Sequence, residues 1–482
     1  MRKAWSIFRT VMSVILLLAV VMPVGIYVVF STPAIQDEIR SVASSELSKL
    51  LGAEVGIGRL EIHPFNRLSV EDMSLTLPDG DTVASIHRVS AGFELRHLLM
   101  TGEIIIDYAL LDGATLSVSR DSINAPLNIQ TIIDRLKSDR KNEEPSNFDL
   151  KISTVVVRDM SASYDVRDRA PLDSGRFDAS HIKIENLSLN AYIPQLSRDC
   201  YAAEIDHLSF REHNGFELAK LKVSASIDST ALRVSGLSMS LPHSTLSFKP
   251  ITIPTKGVSG LGEALRNHKT KIISGDDCSI FLPDLAPFIP ILNDFPTLLA
   301  LRLEADGCSE AITIERLAIH EPATHAVSLN LGAEITGIDT PNSITVDIKR
   351  LSAIIRGPEC AAIGGNRLSG KISSLLQQTA TQAVVLKGYG NIDGGRISLK
   401  TDGDAGNADI DANYINSRLA PQISCKGELR KINAGLLTSS HILGLADASF
   451  SGKIRIRGKQ TDGTVNATIN RLDILGHSYS GI

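Results

Sequence analysis

The chain has 482 residues and a formal charge of −5, a length that predicts two to four domains. No basic block follows Arg2, Lys3 and Arg9, so nucleic acid is excluded as a partner: the chain lacks the electrostatic footprint that phosphate backbones demand. Aromatic residues are only 5% of the chain, so whatever is buried is aliphatic.

The first expected element is a transmembrane helix. Val11 to Phe30 is an unbroken apolar run of about 20 residues, roughly 30 Å long as a helix, which matches the hydrocarbon core of a bilayer. The basic tip before it and the mixed charges Asp37, Glu38 and Arg40 after it keep the N-terminus cytoplasmic and send the body across. Residues 1–30 therefore read as tip and single-pass anchor in the cell inner membrane, with a periplasmic body. A cleaved signal peptide, cut near Ser31, Thr32 and Ala34, is the alternative. Against it, signal h-regions run about 7–15 residues, and Pro33 sits inside the candidate site.

Residues 31–52 read as an amphipathic helix, Pro33 to Leu51, with Ser31 or Thr32 as cap and Gly52 as terminator. Ile35, Ile39, Val42, Ala43, Leu47 and Leu50 form its apolar stripe. That stripe either lies on the outer leaflet or plugs the end of the following β-structure. Its few basic residues favour the plug.

From Val55 onward apolar residues recur at spacings of two, three and two: Val55, Ile57, Leu60, Ile62, then Leu68, Val70, Met73, Leu75. Further copies start at Val155, Ile182, Ala203, Phe216, Leu232, Ile312, Val346 and Ala467. A strand changes face at every residue, so an uncorrected step of three throws the second pair onto the opposite face. A β-bulge inside the step repairs the phase and bends the strand. The polar pairs Gly58-Arg59, Glu185-Asn186, Glu315-Arg316, Lys349-Arg350 and Asn470-Arg471 occupy those steps. A two-residue hairpin at each step is the competing account, but most pairs lack the Asn-Gly or Asp-Gly chemistry it needs. Plain alternating strands lie between, such as Ala114, Leu116, Val118 and Ile454, Ile456. One face is aliphatic and the other polar throughout, as in antiparallel sheets with one wet side.

The expected order is a membrane-proximal β module at 53–137 that includes a short helix at Asn128 to Leu136, a charged linker at 138–147 and a β-repeat region at 148–250. A helical or looped insert follows at 251–300, and β-structure continues over 301–482. Catalytic chemistry finds no foothold. The twelve histidines are scattered, and His320 and His325 lack metalloprotease spacing. Asp402-Gly403-Asp404 departs from a calcium loop at Asn407 and Asn413. The glycines around Gly388 to Gly395 have the wrong spacing for a dinucleotide fingerprint. Cys200, Cys278, Cys308, Cys360 and Cys425 make no zinc spacing and read mostly as small buried hydrophobes, with disulfide pairing open. No cofactor, no metal and no enzymatic activity are expected.

Three stretches carry a family resemblance. The first includes Leu51-Gly52-Ala53-Glu54-Val55-Gly56-Ile57-Gly58-Arg59-Leu60, Pro64-Phe65-Asn66-Arg67-Leu68, Asp79-Gly80-Asp81-Thr82, Leu111-Asp112-Gly113-Ala114 and Pro126-Leu127-Asn128-Ile129-Gln130. The others are Phe148-Asp149-Leu150-Lys151-Ile152-Ser153 with Phe177-Asp178-Ala179-Ser180-His181-Ile182, and Asp284-Leu285-Ala286-Pro287-Phe288. Together they resemble the TamB branch of the AsmA-like proteins in its Bacteroidetes form, over roughly residues 1 to 330.

The resemblance implies a mainly β fold, with a transmembrane helix followed by a long curled antiparallel sheet, an open groove and a few short helices. It implies phospholipid movement between inner and outer membranes and a role in outer-membrane biogenesis. Partners would be acyl chains, the inner membrane and an outer-membrane β-barrel. Family members run several-fold longer and end in the domain that engages that barrel. This chain stops at Ile482 in mid-pattern, so it reads as an N-terminal portion, a truncated reading frame or a short relative, which leaves the barrel partner in doubt. The groove-lining candidates are Leu116, Ile182, Ile184, Leu232, Val234, Ile312, Ile314, Val346, Ile348, Ile454 and Ile456. Without the resemblance, a β-sandwich whose apolar face is ordinary core competes equally. A non-transporting β-sandwich or β-helical envelope scaffold that assists outer-membrane protein assembly is the alternative function.

Overall fold

The computed structural model describes residues 32–63, 67–93, 105–135, 151–172, 175–196, 200–340, 343–416, 421–438, 440–457 and 460–481. The expected span at 11–30 and the linker at 138–147 lie outside these residues. Among the described residues no helix is long and apolar enough to cross a membrane. The fold is mainly β, mostly antiparallel, with few helices. It divides into two compact units, 1–224 and 225–482.

In the first unit, helix α1 (Pro33–Leu51) starts with proline in its first turn and ends on Gly52 at φ 66°. Seven strands follow and pair in serial order: β1 (Glu54–His63), β2 (Arg67–Thr76), β3 (Thr82–Phe93), β4 (Ile105–Arg120), β5 (Lys151–Val166), β6 (His181–Leu196) and β7 (Tyr201–Glu212). All pairs are antiparallel except β4 with β5. A parallel neighbour requires the chain to return to its starting end. The described part of the connection between β4 and β5, residues 121–135, includes a helical segment at 130–135.

Helix α1 lies along β1 through polar contacts. The Ser44 hydroxyl donates to the Val55 carbonyl, the Ser48 hydroxyl accepts from the Val55 N–H at 2.9 Å, and Arg40 donates to the Gly58 carbonyl at 3.2 Å. Backbone groups of an edge strand are thereby satisfied, which blunts an edge that would otherwise recruit another chain. The stripe expected to plug the sheet is only half used, because Val42 stays 54% exposed. The buried cluster near this end is built instead by Ile132, from the helical segment, against Ala53, Leu77 and Val83, with Ile129 and Leu51 packed beside them.

Strand β8 (Glu217–Ile227) runs across the division between the units. The second unit begins with β9 (Ala231–Ser240), which pairs with two short strands, β10 (Thr245–Ser247) and β11 (Ile251–Pro254). Two more short strands, β12 (Thr270–Ile273) and β13 (Ser279–Phe281), both pair with β14 (Leu298–Gly307). The segment 251–300 thus holds helical pieces, α2 (Leu261–Asn267) and the 3₁₀ turns Leu282–Leu285 and Pro290–Asp294, but also strands that take part in the ladders. A serial meander continues: β15 (Ala311–His320), β16 (Val327–Thr336), β17 (Thr345–Arg356), β18 (Thr381–Gly390), β19 (Gly394–Gly403) and β20 (Asn407–Ile415). It ends with β21 (Gln422–Asn433), β22 (Leu443–Arg457), β23 (Gln460–Ile474) and β24 (His477–Ser480).

Continuous β-structure was expected over 301–482, yet α3 (Gly357–Gly364) and α4 (Gly370–Gln378) intervene between β17 and β18. Proline in the first turn of α3 and the Ser369 hydroxyl, which accepts from the Ile372 N–H, start these helices. The two 3₁₀ turns, α3 with α4, and α5 (Ala434–Thr438) join strands at the same end of this unit and form a helical rim there, whereas α2 joins β11 to β12 at the opposite end. On that rim the β15–β16 turn is organised by Glu321, which is only 3% exposed. Its carboxylate accepts from the Ala323 N–H at 2.9 Å and from the Thr324 N–H and hydroxyl at 2.6 Å each. Burial pushes its pKa up, but these donors more than offset burial and hold it at about 2.

The three-residue steps lie inside continuous strands, which removes the hairpin account. Glu304 faces Arg316 while Ala305 faces Ile314, leaving Glu315 as the extra residue. Gly332 faces Arg350 while Ala333 faces Ile348, leaving Lys349 extra. The same irregularity occurs at Asn470, between the pairs Asp447 with Arg471 and Ala448 with Ile469. Register also shifts beside Asn186, which takes φ 55°. Gly58-Arg59 differs. Ile57 faces Met73 and Arg59 faces Glu71 with no register shift. Strand β2 makes the same three-residue step at the same level, with Asp72 at φ 53°, so both strands change phase together.

Candidate functional site

Directly opposed residues of paired strands share a face, so the register defines rows running across the sheet. In the second unit one row passes through Ile312, Ile335, Val346, Gly390, Gly395, Tyr414, Ile423 and Ile454. The next passes through Ile314, Ala333, Ile348, Gly388, Ile397, Ala412, Cys425, Gly452 and Val465. Beyond the bulges a third row is Leu317, Leu331, Leu351, Leu386, Leu399, Ile410, Gly427, Phe450 and Ala467. Each bulge keeps the first two rows and the third on one side. Without the extra residue, Leu317 and Leu351 would turn to the other face.

The face is uncharged along these rows, and its opposite is not. Thr313, Glu334, Asp347, Tyr389, Arg396, Asn413, Ser424 and Lys453 form the adjacent row on the other side. Lys349 bridges Asp347 at 2.5 Å and Glu334 at 3.3 Å, and these hydrogen-bonded carboxylates push its pKa up. Lys400 meets Asp409 at 2.7 Å across the neighbouring strands.

Among the described residues no second layer covers the apolar rows. Ile312 and Val346 are each 37% exposed, Ile397 is 48% and Val465 is 65%. Among the described residues of β14 to β24, only alanines of the apolar face, such as Ala305 and Ala333, reach full burial. A sandwich core would bury the large aliphatic residues first. Where glycines replace side chains, at Gly388, Gly390 and Gly395, the face dips into a cleft of about 430 Å³ walled by Val346, Ile348, Ile397 and Tyr414.

Ile312, Val346 and Ile454 fall in the first row, and Ile314 and Ile348 in the second. Ile456 pairs with Thr461 through its backbone, and its side chain lies outside the described residues. Leu232 and Val234 face Ile253 and Ile251 on β11. In the first unit, Leu116 faces Ala162, which faces Ile184. Ile182 faces Tyr164 in the row beside it. The spacing pattern alone does not reveal the glycine-floored cleft or Tyr414. Short alternation in β18 to β20 was the available signal.

The remaining chemistry is structural. Asp402-Gly403-Asp404 forms the β19–β20 turn, where Asp404 accepts from the Thr381 N–H at 3.0 Å. Among the described residues no group of His, Cys, Asp and Glu could hold a metal ion, and the five cysteines are free thiols.

A mainly antiparallel, bulge-bent sheet with one uncovered aliphatic face defines a protein built around an apolar surface. The chain belongs to the AsmA family: the sequence model described as the AsmA family matches residues 1–249, just over half of it. No curated protein and no solved structure matches it. AsmA-family proteins are envelope-associated, and membership together with the sheet fits a general role in lipid transport or envelope assembly.

Proposed function

We propose that the uncovered apolar face carries phospholipid acyl chains between the inner and outer membranes, in the manner of the TamB branch of the family. The carrying observation is the set of uncharged rows that continue over nine adjacent strands with no covering layer among the described residues. Each buried methylene contributes about 0.8 kcal/mol, so a dozen are worth roughly 10 kcal/mol without any specific polar contact. Head groups would stay at the wet rim. In this reading a single-pass helix at 11–30 anchors the chain with its N-terminus cytoplasmic, the body is periplasmic, and transport needs no catalytic residue. An outer-membrane barrel would serve as the distal partner.

The test is site-specific photo-crosslinking in native membranes at Leu116, Ile184, Ile314, Ile348 and Ile454, with Thr313 and Arg233 as wet-face controls. Phospholipid captured at all five and at neither control is the expected outcome. Capture confined to one position, or equal capture at the controls, would sink the proposal.

A further inference from the structure

A second apolar feature lies away from the rows, in the loop between β13 and β14. Phe288, Ile289 and Ile291 are 47%, 51% and 61% exposed. From Leu285 to Asn293 the loop carries no charged residue. Its base is pinned. The Asp284 side chain is 6% exposed and accepts from the Ser244 hydroxyl at 2.6 Å and the His243 N–H at 3.0 Å. On the far side the exposed Arg367 donates to the Asn293 carbonyl at 3.1 Å.

Part of the tip's backbone is bonded within the loop itself. Phe288 and Ile289 donate to the Leu285 carbonyl at 3.0 and 3.1 Å, and Leu292 donates to the Ile289 carbonyl at 3.0 Å. Pro287 and Pro290 have no N–H to satisfy. A docking loop for a protein partner gains from polar groups that the partner can pair. Hydrocarbon instead demands that charge be absent and backbone groups be satisfied internally. Arg367 at the base supplies a cation at the height where phosphates would lie.

We infer that this loop is a wedge that inserts Phe288, Ile289 and Ile291 into the outer layer of a lipid bilayer and seats the helical rim of the second unit on the membrane surface. The inference goes beyond lipid carriage, because it requires no lipid on the apolar rows. The pinned base makes the insertion preorganised, so little ordering entropy opposes it.

The experiment uses the full chain reconstituted in vesicles of phosphatidylethanolamine and phosphatidylglycerol with acyl-brominated lipid as quencher. Trp5→Phe removes the natural indole, and Ile291→Trp places one at the tip. Ile392→Trp, at the exposed β18–β19 turn on the opposite rim, is the control. Expected are a blue-shifted emission and several-fold stronger quenching for the tip than for the control. Adding Phe288→Asp to the tip variant should abolish the excess, while photo-crosslinking of lipid at Ile348 stays unchanged. Quenching no stronger at the tip than at the control overturns the wedge. So does a tip shielded from aqueous quencher by a co-purifying protein without lipid quenching.

Discussion

Glu321 shows how a charged side chain can organise a β turn without belonging to any site. Its carboxylate is nearly inaccessible, yet four donors from Ala323, Thr324 and Ala326 surround it. Its pKa falls from 4.5 to about 2 on folding, so the unfolded chain binds the proton more readily. The stabilisation is therefore complete above about pH 4.5 and is lost as pH falls from there through about 2. Glu321→Gln should destabilise the protein by ~1–3 kcal/mol at neutral pH, since buried donors lose a charged acceptor. The gap to wild type in urea midpoint should close as pH approaches 2. A gap independent of pH would assign the effect to packing rather than to charge. Nothing in the sequence around Glu321 marks this role, because a lone carboxylate before a Pro-Ala-Thr turn looks like any exposed acid.

The bulged strand is the element that the sequence displays most openly. Spacing of two, three and two with a polar pair in the step is a phase error that only an extra residue can correct, and Glu315 and Lys349 are those residues. Gly58-Arg59 was not legible in the same way, because the compensating step in β2 belongs to the partner strand. Helices α3 and α4 escaped notice because they are short, and their start signals, Pro358 and Ser369, sit between residues that also suit strands. Deleting Lys349 should cost far more stability than Lys349→Ala, which ought to stay within about 0.5 kcal/mol as surface substitutions do. Without the extra residue, β17 must either turn Leu351 and Ala353 to the wet face or lose its pairing with β16 and β18. Urea unfolding of both variants checks this, and equal midpoints would argue against the bulge as the device that holds the rows together. A charge on the apolar face gives a complementary measurement. Ile314→Asp and Ile348→Asp should reduce lipid recovered with the purified chain and cost some stability, because an unpaired charge there is poorly solvated. Thr313→Asp, on the wet side, should be nearly silent in both readouts.

At the scale of the molecule, the question is whether the apolar face acts as one continuous track or as a set of separate depressions. The rows of the second unit extend over nine strands from β15 to β23, roughly 38 Å at about 4.8 Å per strand. The cleft at Gly388, Gly390 and Gly395 lies in the interior of that span. A cleft of this size is within the range that holds a single discrete ligand, so it is where the two accounts diverge. Ile397→Arg places a cation on its wall, at a position 48% exposed and tolerant of a longer side chain. If the face is a conduit, lipid crosslinking at Ile314 on one side and at Ile454 on the other should persist, while transfer of labelled phospholipid between donor and acceptor vesicles falls sharply. If the cleft is the sole binding place, the same substitution should remove crosslinking at both flanking positions together. Persistent crosslinking with undiminished transfer would mean that lipid does not pass through this part of the face at all.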